Sequence, residues 1–359
     1  MYYTGTAIPK DVNKAFKLFQ EASRDTNNTK AITYLGVCHL HGIGTLINEK
    51  LAFQCFYSAA EKEYPLAQLY LARLYRYGIG TKIDFKLTVE WLMKAADSHS
   101  LAQVELADLY RTGQCNVPKD PELAFQLYSI AASDGVTIAQ YNLGQYYFKG
   151  KIVKRNDTMA FLWFEKAAND HFAEAQAKLG YMYEYGLGCD VDLNAARFYY
   201  QSAANQGVAS AQNNLGFLYR YGKGVDVDFP KSFQLFSQAA KKGDVLAQNH
   251  LGQCYENGVG CDVNLEIAVY WYHLASEKGL SAAQNNLALC NELGKGMVAN
   301  ELEAIRLYTL AANQGNVSAA FNLAEYFETK RKDLNLARVW YSRAAELGDL
   351  ESKTKLDQM

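Results

Sequence analysis

Cysteine has the most reactive side chain in this sequence, so its seven copies are the first candidates for nucleophilic or redox chemistry. A secreted disulfide framework normally uses an even number of cysteines, whereas this number is odd and the spacing suggests no pairs. We therefore expect free thiols that pack as small apolar residues in a reducing compartment, the cytoplasm or, for a bacterial effector, the host cytosol. A cysteine–histidine–acid triad stays open, because triads assemble in space, but no residue stands out as its nucleophile. The seven are Cys38, Cys55, Cys115, Cys189, Cys254, Cys261 and Cys290.

Two further motifs suggest ligand chemistry only weakly. His39 and His41 offer two metal-binding nitrogens, but no cysteine or carboxylate cluster follows them at ligand spacing. The GKG triplets at 222–224 and 294–296 suggest a phosphate cradle, but no strand pattern precedes them and the phosphate-binding motif G-x-x-x-x-G-K-[ST] is absent from the sequence. We therefore expect turns between helices at these glycines, and neither a metal nor another cofactor.

Acids and amides that recur every 36 residues are better explained as helix caps than as catalytic groups. A side-chain oxygen just before a helix accepts hydrogen bonds from the free amides of the first turn, which contributes about 0.5–2 kcal/mol. Each of these residues stands directly before an apolar helical run, so each predicts a helix start. They are Asn48, Asp84, Asp120, Asn156, Asp192, Asp228, Asn264 and Asn300, with Asp11 and Asp333 in the outer copies.

The same period runs through the small residues of the chain. An Ala-Ala or Ala-Ser pair recurs every 36 residues from Ala59 to Ala312, and a second set lies in the other half of each unit: Gly36, Ala72, Ala107, Gly144, Gly180, Gly216, Gly252, Ala288 and Ala324. Apolar residues at helical spacing around both sets predict two amphipathic helices per unit. Glycine within a helix costs about 0.5–1 kcal/mol relative to alanine, so we expect a neighbouring helix to pass too close for a larger side chain.

About ten such units predict one all-α solenoid over residues 1–359, because repeats bury their core only against neighbouring repeats. Residues 1–24 supply only the second half of a unit. We therefore infer that further residues precede Met1 in the natural chain. Residues 349–359 predict a polar C-terminal capping helix. Lys and Arg number 36 against 38 for Asp and Glu, without a long like-charge block, which argues against a nucleic-acid or anionic-membrane partner. No run of about 18 apolar residues predicts membrane insertion.

The pattern A-x-A-Q-x-N-L-G-x-x-Y-x-x-G-x-G-V-x-x-D-x-x-K-A-x-x-W-Y-x-x-A-A-x-x-G, clearest from Gly180 to Ala312, resembles the Sel-1-like repeat, a relative of the tetratricopeptide repeat. The resemblance implies a right-handed α/α superhelix whose first helices line a concave groove. It also implies an adaptor that binds a peptide segment or helix of another protein, and we expect a monomer without enzymatic activity. Two alternatives stay open: a hydrolase like some cysteine-rich relatives, and an architectural protein that stacks end to end.

Tetratricopeptide geometry places the groove at positions three before and one, four and five after the small residue of each first helix. These positions give the candidate partner-binding residues. The N-terminal part of the predicted groove offers Arg73, Arg76, Tyr77 and Arg111; the middle offers Tyr141, Gln145, Tyr181, Tyr185, Phe217, Arg220 and Tyr221; the C-terminal part offers Glu256, Glu292 and Glu328. Asn213, Asn249 and Asn285 add a ladder of amides for the main chain of a partner.

The charges of these residues predict a polarity along the groove. Three arginines at one end favour the acidic part of a bound segment, because guanidinium groups recognise carboxylates through a planar fork. The row of glutamates at the other end favours its basic part. The alternative is an ordinary solvated helix face, on which these charges only keep the protein soluble.

Overall fold

The computed structural model describes residues 11–359, which form twenty α-helices and one π-helical turn without a β-strand among them. The all-α prediction with two helices per unit is therefore confirmed. We call the first helix of each repeat its A helix and the second its B helix. The A helices are α2 (Thr29–His41), α4 (Pro65–Tyr77), α6 (Ser100–Thr112), α8 (Thr137–Lys149), α10 (Ala173–Tyr185), α12 (Ala209–Tyr221), α14 (Val245–Asn257), α16 (Ser281–Leu293), α18 (Val317–Tyr326) and α20 (Leu350–Gln358).

The B helices complete the helical hairpins. They are α1 (Val12–Ala22), α3 (Glu49–Ala60), α5 (Phe85–Ala96), α7 (Pro121–Ser133), α9 (Asp157–Asn169), α11 (Leu193–Asn205), α13 (Phe229–Lys241), α15 (Leu265–Glu277), α17 (Glu301–Asn313) and α19 (Leu334–Glu346). The chain divides into two compact units, Met1–Ala175 and Gln176–Met359. In each unit, A helices pack against the B helices that follow them, and B helices pack against the next A helices.

The predicted helix caps are confirmed at all ten positions. Each side-chain oxygen accepts a hydrogen bond of 2.9–3.1 Å from a backbone amide in the first turn of a B helix. Asp228, for example, accepts from the amide of Lys231 at 2.9 Å, and Asn264 accepts from that of Ile267 at 3.0 Å. These acids and amides therefore start helices, and their period sets the register of the array.

The glycines inside A helices lie where a B-helix ring leaves no room for a side chain. A Cβ on Gly216 would lie 3.0 Å from the ring of Phe236, and one on Gly252 would lie 2.6 Å from the ring of Tyr272. Gly36, Gly144 and Gly180 face Phe56, Phe164 and Tyr200 in the same way. The predicted close approach is confirmed, and the approaching helix is the B helix of the same repeat.

The last hairpin differs because its connecting loop is three residues shorter than in the other units. Helix α18 runs directly into a π-helical turn, Phe327–Arg331, which replaces the usual glycine turn. The chain then leaves the helix at Lys332, whose φ of 53° is left-handed. Beyond α19, Leu356 and Met359 of the last segment pack against the core cluster that contains Tyr341.

Candidate functional site

The A helices present a row of exposed side chains, which we call the A-helix face, five residues after the small residue of each repeat. Tyr77 is 61% exposed, Tyr185 53% and Tyr221 54%. These three rings are therefore accessible to a partner, as are Phe198 and Tyr270 on B helices, which are 63% and 56% exposed. This part of the groove prediction therefore agrees with the exposure of the side chains in the structure.

The side chains three residues before the small residue are more buried than we predicted. Asn213 and Asn249 are only 3% and 4% exposed. The oxygen of Asn213 is 2.9 Å from Nδ1 of His250, and the oxygen of Asn249 accepts from Asn286 at 3.0 Å. The expectation that these two amides face a bound main chain is wrong, because they join neighbouring repeats to each other.

Asn285 and Tyr141 continue the same internal arrangement. Asn285 is half-buried and accepts a hydrogen bond of 3.0 Å from Asn322 of the following repeat. The Tyr141 ring is half-buried, with its centroid 5.1 Å from that of Phe172, and its hydroxyl accepts from the Gln145 amide at 2.9 Å. These residues stabilise the array, and their remaining surface is small.

The three arginines of the predicted basic end each have a partner within the protein. Arg73 pairs with Glu105, with its Nε 2.7 Å from the carboxylate. Arg111 donates to Asp108 at 2.6 Å and to the hydroxyl of Tyr128 at 3.1 Å. The charges of Arg73 and Arg111 are thus balanced locally, which weakens the basic end that the sequence predicted.

Arg76 differs from these two because its acceptor is neutral. It donates to the side-chain oxygen of Gln114 at 2.6 Å, and its guanidinium lies 5.4 Å from the centroid of the exposed Tyr77 ring. An arginine beside an exposed tyrosine combines a planar cation with an apolar surface, which is the composition of many binding hot spots.

The glutamates of the predicted acidic row accept hydrogen bonds from buried tyrosines of the same repeat. Tyr272 donates to Glu256 at 2.7 Å, and Tyr308 donates to Glu292 at 3.0 Å. Glu328 accepts from Tyr341 at 2.6 Å and lies 3.1 Å from the ammonium of Lys355. These two donors hold the pKa of Glu328 below its usual range. The row is therefore part of the packing, and Glu256 also pairs with the ammonium of Lys295 at 3.4 Å.

The hydrogen bonds between tyrosines and carboxylates could have been predicted from pairs of positions in the sequence, but the sequence analysis did not identify them. Where the A helix has an acid four residues after its small residue, the B helix has tyrosine at the facing position: Glu184 with Tyr200, Glu256 with Tyr272, Glu292 with Tyr308, and Glu328 with Tyr341. In four of the other repeats the B helix has an apolar residue there: Leu40 with Phe56, Arg76 with Leu92, Phe148 with Phe164, and Arg220 with Phe236. The repeat of Arg111 has Tyr128, whose hydroxyl donates to Asp108 of the same A helix at 2.6 Å instead. A buried hydroxyl needs an acceptor, so the two positions change together.

An aromatic group of the A-helix face lies in the second unit, and we call it the aromatic patch: Tyr181, Tyr185, Phe217, Arg220 and Tyr221. The rings of Tyr181 and Tyr185 have centroids 4.7 Å apart, and those of Phe217 and Tyr221 are 4.5 Å apart. The guanidinium of Arg220 lies 5.6 Å from the centroid of Tyr221. The structure thus brings together five residues that the sequence nominated.

Lys223 joins the two halves of the aromatic patch, and sequence reasoning missed it. Its ammonium lies 3.7 Å from the carboxylate of Glu184 on α10 and 5.0 Å from the ring centroid of Phe217 on α12. Lys223 belongs to the GKG triplet that we had assigned to a turn. The turn assignment holds, but the residue between the glycines also reaches the A-helix face.

The described residues offer little for catalysis. Burial raises the pKa of each of the seven cysteine thiols, to about 11 for Cys55, Cys254 and Cys290. A thiol needs a lowered pKa to act as a nucleophile at neutral pH, so none of these thiols is activated. Among residues 11–359, no three His, Cys, Asp or Glu side chains are grouped so that they could hold a metal ion. No described helix is both long and apolar enough to cross a membrane.

Repeated helical hairpins with a polar, aromatic-bearing A-helix face define an α/α repeat protein. The chain belongs to the Sel1 repeat family, whose sequence signature matches residues 1–27, 29–64, 65–99, 100–136, 137–171, 173–208, 209–244, 245–280, 281–316 and 317–349. Proteins of this family are generally protein-interaction scaffolds and typically have no enzymatic activity.

Two solved structures are similar over most of the chain. The crystal structure of c5321, a protective antigen present in uropathogenic Escherichia coli strains, has 29% identity and a TM-score of 0.82, covering 99% of this chain and 77% of that one. A Sel1 repeat protein from Oxalobacter formigenes has 26% identity and a TM-score of 0.60, covering 88% and 94%.

A curated relative is similar over a shorter stretch. The sel1-like repeat-containing protein L21 of Acanthamoeba polyphaga mimivirus is 31% identical over 120 residues, which is 33% of this chain. The matched stretch spans 21% of that relative's own length.

Proposed function

We propose that this protein is a non-enzymatic scaffold that holds a segment of another protein on the A-helix face of its second unit, with the aromatic patch as the principal contact. The exposure of the aromatic patch carries this assignment. Tyr185 on α10 and Tyr221 on α12 are more than half exposed, although α12 packs against both α11 and α13. Aromatic and arginine side chains supply much of the binding energy at protein interfaces, and they lose little conformational entropy on binding.

The charges of the aromatic patch specify the chemistry of the segment. Arg220 stacks on Tyr221 and approaches the sulfur of Cys254 at 3.9 Å, so its described contacts include no carboxylate. Lys223 already pairs with Glu184. We therefore assign Arg220 to a carboxylate of the partner, with apolar partner side chains against the tyrosine rings.

Position-specific cross-linking tests where the partner lies. A photoreactive phenylalanine analogue replaces Tyr221, and the same analogue replaces Tyr270 as a matched control, since Tyr270 is 56% exposed but belongs to a B helix. We expect one protein to be cross-linked from position 221 and not from position 270. Equal capture from both positions would show nonspecific contact and count against the A-helix face.

Affinity measurements with the captured partner then test the residues. Arg220→Glu together with Tyr221→Ala should weaken binding at least tenfold, about 1.4 kcal/mol, while the helical content stays unchanged. The control variant Tyr270→Ala should bind like the parent protein. If the double variant binds as tightly as the parent, the aromatic patch is not the binding site.

A further inference from the structure

A second feature of the molecule lies away from the A-helix face, in the first unit, where the B helices α3 and α5 end. A cleft of about 460 Å³ opens between these two helix ends and the start of α4. Its lining includes the carboxylate residues Glu61, Glu63 and Asp97, the ring of Trp91, the amide of Gln68, and Ser98. Other repeats of the chain show what normally fills this position.

In three other repeats, a lysine ammonium of the same chain occupies the equivalent position. Lys242 donates to the carbonyl of Gly207 at 2.6 Å, and Lys278 donates to the carbonyl of Gly243 at 3.0 Å. Lys62 donates to the carbonyl of Thr26 in the preceding turn. The residue 36 positions after Lys62 is Ser98, and serine is too short to span this distance.

Two further repeats use a glutamine there, and its amide donates to a buried glutamine. Gln206 donates to the oxygen of Gln176, and Gln314 donates to the oxygen of Gln284, both at 2.8 Å. The corresponding buried residue in the cleft is Gln68, which is 4% exposed. Its amide nitrogen donates to the carbonyl of Ala60 at 3.4 Å, but no described residue donates to its oxygen. The cleft therefore lacks the N–H donor that these five repeats have. Two other repeats have an aspartate there instead: Asp134 accepts from Ser100 at 2.7 Å, and Asp170 accepts from Thr137 at 2.8 Å.

The charge of the cleft favours a cationic donor. Glu61 and Asp97 are the C-cap residues of α3 and α5, where the helix dipole is negative and a carboxylate is unfavourable without a nearby cation. Lys94 also lines the cleft and supplies one positive charge, 4.1 Å from the centroid of Trp91. Three carboxylates against one ammonium leave the cleft with negative charge that a further cation would balance.

We propose that this cleft binds the side-chain ammonium of a lysine from another protein, in place of the lysine that other repeats of the chain supply themselves. The lysine would donate to the main-chain carbonyl of Glu63, as Lys242 and Lys278 donate to the equivalent carbonyls, and its methylene groups would lie near Trp91. This site is separate from the aromatic patch and does not depend on it.

A short peptide tests the assignment directly. Acetyl-Gly-Lys-Gly-amide is titrated into the protein while the indole N–H signals are followed by nuclear magnetic resonance. We expect a saturable shift of the Trp91 signal. The signal of Trp271 serves as the internal control and should not move, because Lys278 occupies the equivalent position in its repeat and donates to the carbonyl of Gly243 at 3.0 Å. The same peptide with norleucine in place of lysine should leave both signals unchanged, and an equal shift with norleucine would overturn the proposal.

Three variants test whether the charge of the cleft, and not a change in the fold, determines peptide binding. Ser98→Lys restores the residue of the other repeats, so it should raise the melting temperature and weaken peptide binding at least tenfold. Ser98→Ala should bind like the parent protein. The double variant Glu61→Gln with Asp97→Asn should also weaken peptide binding at least tenfold. It removes two negative charges without placing a lysine side chain in the cleft. Unchanged binding in both the lysine variant and the double variant would show that the cleft is not the site.

Discussion

The hydroxyl of Tyr272 illustrates how one buried polar atom requires a particular residue, here Glu256, at a second position. The ring is fully buried, and burial together with the carboxylate of Glu256 raises the pKa of Tyr272, so the hydroxyl stays protonated and donates. A buried donor without an acceptor costs about 1–3 kcal/mol, more than the bond itself contributes. The pair should therefore behave asymmetrically when either member is changed.

We expect Glu256→Leu to lower the free energy of unfolding by about 1–3 kcal/mol, because it leaves the hydroxyl of Tyr272 unpaired. Tyr272→Phe should cost only about 1 kcal/mol, since it removes the donor as well. Adding Tyr272→Phe to Glu256→Leu should recover most of the loss, because Leu40 and Phe56 form this combination naturally. Urea unfolding of the three variants measures these differences. Simple additivity of the two single losses would contradict the proposed dependence.

His250 is a second residue whose environment has a measurable consequence. It takes the position that Asn286 and Asn322 occupy in later repeats, and each of these two asparagines donates to the preceding repeat. By the same pattern, Nδ1 of His250 carries the proton that faces Asn213. Burial, with a smaller effect from the Arg220 charge, lowers the pKa of His250 to about 4.

The lowered pKa predicts a loss of stability in acid. Between pH 6.5 and about 4, the unfolded chain binds a proton at His250 that the folded chain does not, so the stability present above pH 6.5 falls as the pH falls. The full effect is on the order of 2–3 kcal/mol. His250→Asn keeps a donor toward Asn213 but does not titrate, so its unfolding free energy should fall less between pH 7.5 and 4.5. Parallel urea titrations at the two pH values measure this, and equal losses would contradict the role of His250.

At the scale of helices, sequence periodicity predicted the features that depend on contacts within one hairpin, namely the helix caps and the close approach of helices at glycine. Caps such as Asp228 follow from the need of first-turn amides for an acceptor, and the close approach at Gly216 follows from the cost of glycine in a helix. Both requirements lie within one hairpin, so a single sequence contains them. The all-α architecture and its repeat boundaries were predictable for the same reason.

The residues of the A-helix face were less predictable because their depth depends on how closely neighbouring A helices approach. Asn213 and Phe217 lie one helical turn apart on α12, yet Asn213 is buried between repeats while Phe217 is only partly buried. A helical pattern gives the direction of a side chain but not the distance to the next repeat. The partners of Arg73 and Arg111 were missed similarly, since Glu105 and Asp108 belong to positions that the groove assignment did not use.

At the scale of the whole molecule, the burial of the cysteines bears on whether the protein works in a reducing or an oxidising compartment. Cys38 and Cys254 are fully buried and Cys290 is 3% exposed, each at the same position of an A helix. These thiols pack as small apolar side chains in the core between helices. A disulfide would require two of them to approach within bonding geometry, which would move the helices that they help to pack.

We therefore expect all seven cysteines to titrate as free thiols once the protein is unfolded under non-reducing conditions. In the folded protein at pH 8, the reaction with a thiol reagent should be slow for Cys38, Cys254 and Cys290, because they are buried and because burial raises the pKa of each. The number of thiols that react in denaturant is measured with and without prior reduction. This comparison distinguishes thiols that are merely buried in the folded protein from thiols that are oxidised to disulfides. Equal counts of seven support a reducing compartment, whereas two or more thiols that appear only after reduction would mean disulfides and an oxidising one.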